Sequence, residues 1–256
     1  MPLPILTFHK LSKYRESNKY IVTEKDFVNC LAFMASHNYN YMLIENYYNV
    51  LLEPTRELPR KSVVITFDDG HESDFTIALP NLKKFNLKAN FFITTDWIDK
   101  TGYMTSEQIK ILSAEGMSIQ SHSKTHLYLD EMDTCNALDE LKESKIMLEK
   151  ILGRDVPFIS FPGGRYNRNV IDCAKEANYS AVLSSNPFCL KKISDILVLG
   201  RFMVKSTSDG TNIYKNIHCG KIGKIKAQIL YSVKYLLKKI LGKNLYYLLW
   251  KKYVGQ

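Results

Sequence analysis

Short apolar runs rich in β-branched and aromatic residues recur along the first 205 residues, and helix signals fall between them. The runs are Ile5 to Phe8, Tyr41 to Ile44, Ser62 to Phe67, Asn90 to Thr94, Met117 to Ser121, Val156 to Phe161, Ser180 to Leu183 and Leu197 to Val204. Each has the length of a strand. Helices are predicted where Thr23 precedes Phe27, Leu31 and Met34, where the capping box Thr105-Ser106-Glu107-Gln108 precedes Ile109 and Leu112, and over Asn136 to Leu152. This order predicts an α/β fold. Seven or eight such units close more naturally into a parallel barrel than they lie as an open sheet, since no G-x-G-x-x-G marks a nucleotide-binding switch point.

Composition narrows the class further. At 45% hydrophobic and 24% charged over 256 residues, disorder, collagen and a disulfide scaffold are excluded. Five cysteines, Cys30, Cys135, Cys173, Cys189 and Cys219, show no C-x-x-C spacing and read as core thiols of a reducing compartment. The segment Met1 to His9 lacks the basic and apolar regions of a signal peptide, and no apolar run approaches the ~18 residues that cross a bilayer. The expected location is therefore cytoplasmic.

The net charge of +9 sits at one end. Residues 220–256 hold nine lysines and no acid, leaving 26 basic against 26 acidic residues upstream. The body is neutral, so nucleic-acid binding by the whole chain is not expected. Within the tail Ile222, Ile225, Ile229, Val233, Leu236 and Ile240 form one helical stripe, Gly242 breaks it, and Leu245 to Trp250 follow. Such a helix suits either peripheral contact with the anionic inner face of a membrane or packing on the barrel. The expected division is 1–205 for the barrel and 206–256 for the tail.

Four segments carry polar groups at strand ends. Val63 to Phe67 runs into Asp68-Asp69-Gly70, two adjacent carboxylates that a turning backbone can bring to one site. Alone, Asp-Asp-Gly is more often a solvated turn. Ser118 to Ser121 runs into His122-Ser123-Lys124-Thr125-His126, whose imidazoles would share a face on a helical turn. One carboxylate and two imidazoles make a three-ligand set with positions open for water and substrate, for which Zn2+ is the default and Co2+, Ni2+ or Fe2+ are alternatives. Ile159-Ser160-Phe161-Pro162-Gly163-Gly164-Arg165 leads through a Gly-rich turn whose N–H groups could face an oxyanion, or which could simply connect strand to helix. His9 ends the first run. These residues converge on the face where parallel barrels build active sites. His71, just after Gly70, reads equally as a substrate contact or a loop residue.

These motifs resemble the polysaccharide deacetylases with NodB-type homology, carbohydrate esterase family 4. Thr66-Phe67-Asp68-Asp69-Gly70 is similar to their first motif, His122-Ser123-Lys124-Thr125-His126 to the second and Phe161-Pro162-Gly163-Gly164 to a variant of the third, with Leu79-Pro80 and Lys88-Ala89-Asn90-Phe91-Phe92 matching between them. The resemblance covers residues 3–205. It implies a distorted (β/α)7 barrel that hydrolyses an N-acetyl, less often an O-acetyl, group on a sugar. By the same resemblance Asp69, His122 and His126 hold the metal, Asp68 is the general base, and Pro162, Gly163 and Arg165 face the substrate. Two departures stand out. The usual arginine before the proline and tyrosine after it are missing, and there is no late L-x-H motif, His218 being far from any strand end. His9 fits a circularly permuted subgroup that includes poly-N-acetylglucosamine deacetylases and carries the acid histidine on its N-terminal strand. The expected partner is thus an N-acetylated polysaccharide or lipid-linked glycan precursor. The alternatives are hydrolysis of another sugar ester, a formamide or a small amide, and a sugar-binding barrel that has lost turnover.

Overall fold

In a computed structural model of the chain, the structure describes residues 3–53, 55–187 and 189–206, with 229, 232, 233, 236 and 237. The chain divides into two compact units, Met1–Ile217 and His218–Gln256. The strands are β1 (Ile5–Phe8), β2 (Leu11–Ser12), β3 (Val22–Thr23), β4 (Asn40–Tyr41), β5 (Ser62–Asp69), β6 (Asn90–Ile93), β7 (Ser118–Ser121), β8 (Phe158–Ser160), β9 (Ala181–Ser184), β10 (Leu190–Ile193), β11 (Ile196–Gly200) and β12 (Phe202–Met203). The helices are α1 (Glu24–Ser36), α2 (Ile44–Leu52), α3 (Leu79–Lys84), α4 (Ser106–Ala114), α5 (Thr134–Leu152) and α6 (Arg168–Glu176).

Strands β12, β1, β5, β6, β7, β8, β9 and β11 pair in that order, all in parallel. Only Arg201 separates β11 from β12, so one stretch of chain completes both ends of the sheet. The expected distorted (β/α)7 barrel is observed, with β11 and β12 as its one broken strand. β10 adds an antiparallel edge with Lys191 and Lys192 exposed, a charged edge that discourages further pairing.

Alternation with period two assigns the faces. Ile5, Val64, Phe92, Phe158, Ala181, Leu183 and Leu199 cluster with Ile44 and Tyr47 of α2, which closes one end. There the Ile44 N–H donates to Asn90 Oδ1 (2.8 Å), and Glu45 Oε1 accepts from Ser118 Oγ (2.6 Å) and Gln120 Nε2 (2.9 Å). Polar groups in the strands are thus paired before the chain reaches the opposite end. On the other parity Phe8, Phe67 and Phe91 stack in series, 5.3 and 4.9 Å between centroids, and Phe27 of α1 packs edge-on against the first two. A second outer layer joins α5 and α6 to β8, β9 and β11 through Leu141, Val170, Ala174, Ile159, Val182 and Val198.

The expected helix starts are present. Thr23 Oγ1 accepts from Asp26 N–H, and Thr105 and Gln108 form the reciprocal capping box. Three expectations are corrected. Tyr41 to Ile44 is not a strand: pairing stops at Tyr41, and Ile44 opens α2, whose Ile44, Tyr47 and Val50 are buried at helical spacing. Leu197 to Val204 is interrupted at Arg201, beside Gly200, where a Cβ would strike the backbone of Asn186 and Cys189. Cys135 is exposed, unlike the buried Cys30, Cys173 and Cys189, because it lies in the first turn of α5 ahead of that helix's buried positions. Cys219 lies outside the described residues. In the tail Ile229, Ser232, Val233, Leu236 and Leu237 are helical and exposed; His218, Ile222, Ile225, Ile240, Gly242 and Leu245 to Trp250 lie outside the described residues. Among the described residues, no helix is long and apolar enough to cross a membrane.

Candidate active site

The site is built where the strands run out, each contributing the residue after its last core position. β5 ends at Asp69, whose φ of 81° lies in the left-handed region that non-glycine residues seldom occupy. That turn lets two adjacent carboxylates, which on a regular strand would diverge, both approach His122 Nε2, at 3.9 Å for Asp68 and 3.4 Å for Asp69. They acquire different partners. Asp68 receives a bidentate guanidinium from Arg201, with Nη1 to Oδ1 and Nη2 to Oδ2 both 2.7 Å, and a hydrogen bond from Ser160 Oγ at 3.2 Å. Asp69 Oδ1 instead faces His122 Nε2 at 3.4 Å and His126 Nε2 at 3.3 Å.

The two histidines do not share a helical turn as expected. Residues 122–128 form a loop that positive φ at Ser123 and His126 folds back, leaving the rings 4.9 Å apart at 62°. Glu140 of α5 pins this loop by accepting from the Lys124 and Thr125 N–H groups and from Thr125 Oγ1. His122 Nδ1 lies 2.7 Å from Ser160 O. A carbonyl only accepts, so Nδ1 carries the proton and Nε2 presents its lone pair to Asp69. This is the orientation of a metal-ligating imidazole supported from behind.

Asp69, His122 and His126 offer one oxygen and two nitrogens, all within 4.8 Å of one another. Asp69 Oδ1 is buried and without a hydrogen-bond donor among the described residues. A carboxylate oxygen left bare against two imidazole nitrogens is what a divalent cation satisfies, so these residues fit a metal ion. Electrostatics agree with that division. Burial opposes ionisation of Asp69, yet the adjoining His122, His126 and His71 imidazoles outweigh it and hold it well below the usual carboxylate range. Burial also works against Asp68, which Arg201 and His122 outweigh to keep it lowered. The His122 imidazolium is disfavoured by burial but raised overall by Asp68 and Asp69.

His9, directly after β1, lies in the field of the same groups. Burial lowers its pKa, Asp68 and Asp69 oppose that shift, and Arg201 and His122 reinforce it. Its Nδ1 is buried without a partner among the described residues. Gly163, exposed with φ of 64°, stands in a turn where Gly164 N–H bonds Phe161 O and Arg165 N–H bonds Pro162 O. A side chain at Gly163 would meet the Tyr128 ring at 2.8 Å, so Tyr128 backs the turn from the His126 loop. Pro162 is buried. Arg165 is occupied within the protein: it bonds Asp130 Oδ2 (2.7 Å) and Glu131 Oε1 (2.6 Å) and lies over Tyr128, 4.4 Å from its centroid. Its guanidinium braces the Tyr128 wall.

Two participants escaped the sequence. Arg201 is 3% exposed and supplies, from the broken strand, a guanidinium that the segment before Pro162 lacks; its Nη2 also reaches Ser160 Oγ at 2.6 Å. The available signal was an arginine inside an apolar run, since a buried arginine requires a carboxylate. Asp74, fully buried with both oxygens unpartnered among the described residues, is pushed well above the carboxylate range by burial and by Asp69 and Asp68.

A strand-end site with this division of two aspartates defines a barrel hydrolase, and comparison with known proteins agrees. The family model for polysaccharide deacetylase matches residues 55–182, half of the chain. The Streptococcus pyogenes deacetylase PplD, solved in complex with acetate, superposes with a TM-score of 0.78 at 27% identity, covering 86% of this chain and 99% of that one. A peptidoglycan-N-acetylglucosamine deacetylase of Bacillus cereus is 32% identical over 52% of this chain and 64% of its own length. The poly-β-1,6-N-acetyl-D-glucosamine N-deacetylase of Staphylococcus epidermidis is 23% identical over 65% of this chain and 62% of its own. The chain therefore spans just under two thirds of these two relatives. It belongs to the polysaccharide deacetylase family, the carbohydrate esterases of NodB-type homology, and is a hydrolytic enzyme of the N-deacetylase class.

Proposed function

We propose that this enzyme removes the N-acetyl group from an amino sugar within a glycan, using one divalent ion held by Asp69, His122 and His126. The observation that carries this reading is the separation of the two aspartates. Arg201 and Ser160 claim Asp68, while Asp69 Oδ1 is left to the imidazole pair. An ion in that set supplies Lewis acidity toward the acetamide carbonyl and the attacking water.

The chain's own residues do the rest. Asp68, kept ionised by Arg201, takes a proton from the water. The Gly163 N–H donates to the carbonyl oxygen as negative charge develops there. His9 hands a proton to the departing amine and is reprotonated when Asp68 gives up the proton it took from the water, which closes the cycle; burial opposes the charged ring, and Asp68 and Asp69 support it. Acetate and a free amino sugar leave. The position of His9 directly after the first strand, together with the Staphylococcus relative, favours a β-linked N-acetylglucosamine polymer or its lipid-linked precursor as substrate.

Elemental mass spectrometry on the parent and on the His122→Ala, His126→Ala double variant tests the metal. About one equivalent in the parent and none in the variant is expected; no metal in either overturns the reading. Acetate release from poly-N-acetylglucosamine, peptidoglycan and O-acetylated sugars then ranks the substrates.

We further propose that the tail holds the enzyme at an anionic membrane surface. Nine lysines lie in residues 220–256, and Ile229, Val233, Leu236 and Leu237 are exposed; each lysine near such a surface contributes about 1 kcal/mol. The full chain should sediment with anionic vesicles and a chain ending at residue 219 should not; equal sedimentation of both would remove this placement.

A further inference from the structure

The metal-ligating carboxylate has a second oxygen, and a third imidazole occupies it. His71 Nε2 lies 3.4 Å from Asp69 Oδ2, while Oδ1 is the atom facing His122 and His126. His71 is not left to find that position by rotamer choice alone. Its backbone bridges Tyr103, Met104 N–H donates to Gly70 O and Glu72 N–H donates to Gly102 O, so the segment after β5 is stitched to residues 102–104. The rings continue the connection. His71 stacks on Tyr103 (5.0 Å, 18°), Tyr103 meets Trp97 (4.8 Å, 39°), and Trp97 meets His126 (5.0 Å, 32°). An arc of four rings thus begins on one oxygen of Asp69 and ends on the imidazole that faces the other.

We propose that His71 is a positioning residue for the metal site: it holds Oδ2 of Asp69, leaves Oδ1 as the single oxygen offered to the ion, and is itself held by the Tyr103–Trp97 stack that also orients His126. The physical reason is geometric. A carboxylate free to rotate can present one oxygen or two, which changes both the ligand count and the positions left for water and substrate. A donor on the far oxygen removes that freedom, as outer partners of metal ligands do. His71 touches neither substrate nor ion in this role. The inference rests on the metal reading above.

Cobalt(II) titration of the full-length protein separates the two. With apo protein, the dissociation constant for Co2+ and the visible absorption spectrum of the bound ion are measured for the parent, His71→Ala and His71→Gln. The alanine variant should bind Co2+ about 10- to 100-fold more weakly with an altered spectrum. The glutamine variant, which keeps an N–H donor at that reach, should recover most of the affinity and the parent spectrum. Thermal melting of the three apo proteins reports any loss of the ring stack independently. Parent-like affinity and spectrum in His71→Ala overturns the inference alone, as does a glutamine variant no better than alanine. A parent that binds no Co2+ overturns the metal reading and the inference with it.

Discussion

The two halves of the site are built differently. On the metal side, Asp69, His122 and His126 come from two strand ends, and the histidines are only four residues apart. On the base side, Asp68 and Ser160 come from two strands and Arg201 from the break between β11 and β12, and together they span more than half the chain. The metal side is a local device, complete once two loops close. The base side exists only when the barrel closes, because Arg201 sits at the break between β11 and β12. The contrast teaches that a motif can show a carboxylate while the guanidinium that pairs with it is recruited from a distance.

The largest effects should break this division. Asp68→Asn is expected to lower kcat by about 10²- to 10⁴-fold, the range for a general base, with metal content unchanged; Asp69→Asn should lose the metal. Elemental analysis beside acetate release distinguishes them, and loss of metal from the Asp68 variant would refute the assignment. Arg201→Leu comes next. It leaves Asp68 buried without its counter-ion, and removing one partner of such a pair costs about 3–5 kcal/mol. Urea unfolding should show that loss, and the Asp68→Asn, Arg201→Leu double variant should be more stable than the Arg201 single variant. Arg201→Lys should not rescue turnover, because an ammonium cannot reproduce the two parallel bonds. Gly163→Ala is expected to cost about 10²-fold or less in kcat, the lower end for an oxyanion donor, with KM little changed; its cause is the Tyr128 ring and a positive φ.

The same contrast explains what was legible in the sequence. Short continuous apolar runs mark β1, β5 and β6 because both faces of those strands are buried, against a packed interior and a helix layer. The pairs Asp68-Asp69 and His122…His126 are visible because their partners are near in sequence. Arg201 was invisible for the opposite reason: its meaning depends on Asp68, 133 residues away. His71 stood in plain view, yet its role depends on the positive φ of Asp69, which turns a carboxylate oxygen toward it. Tyr41 to Ile44 misled because one apolar run served both the end of β4 and the start of α2. Periodicity reports burial, not which element does the burying.

A smaller effect would sharpen the comparison by probing the field that both aspartates generate. The buried carboxyl oxygens of Asp74 accept no hydrogen bond among the described residues, and burial with Asp69 and Asp68 outweighs the nearby His71 backbone to raise its pKa, so the folded state keeps its proton where the unfolded chain has lost it. A carboxyl with a raised folded pKa loses stability as pH climbs from the unfolded value of about 4 toward the folded one. Asp74→Asn, which imitates the protonated form, should therefore be more stable than the parent at pH 7, measured by urea unfolding with metal chelated. The difference should vanish below about pH 4, where both forms of the parent carry the proton. A variant that gains nothing at pH 7, or whose gain is independent of pH, would mean that Asp74 is ionised in the fold and that the two site carboxylates do not extend their field to it.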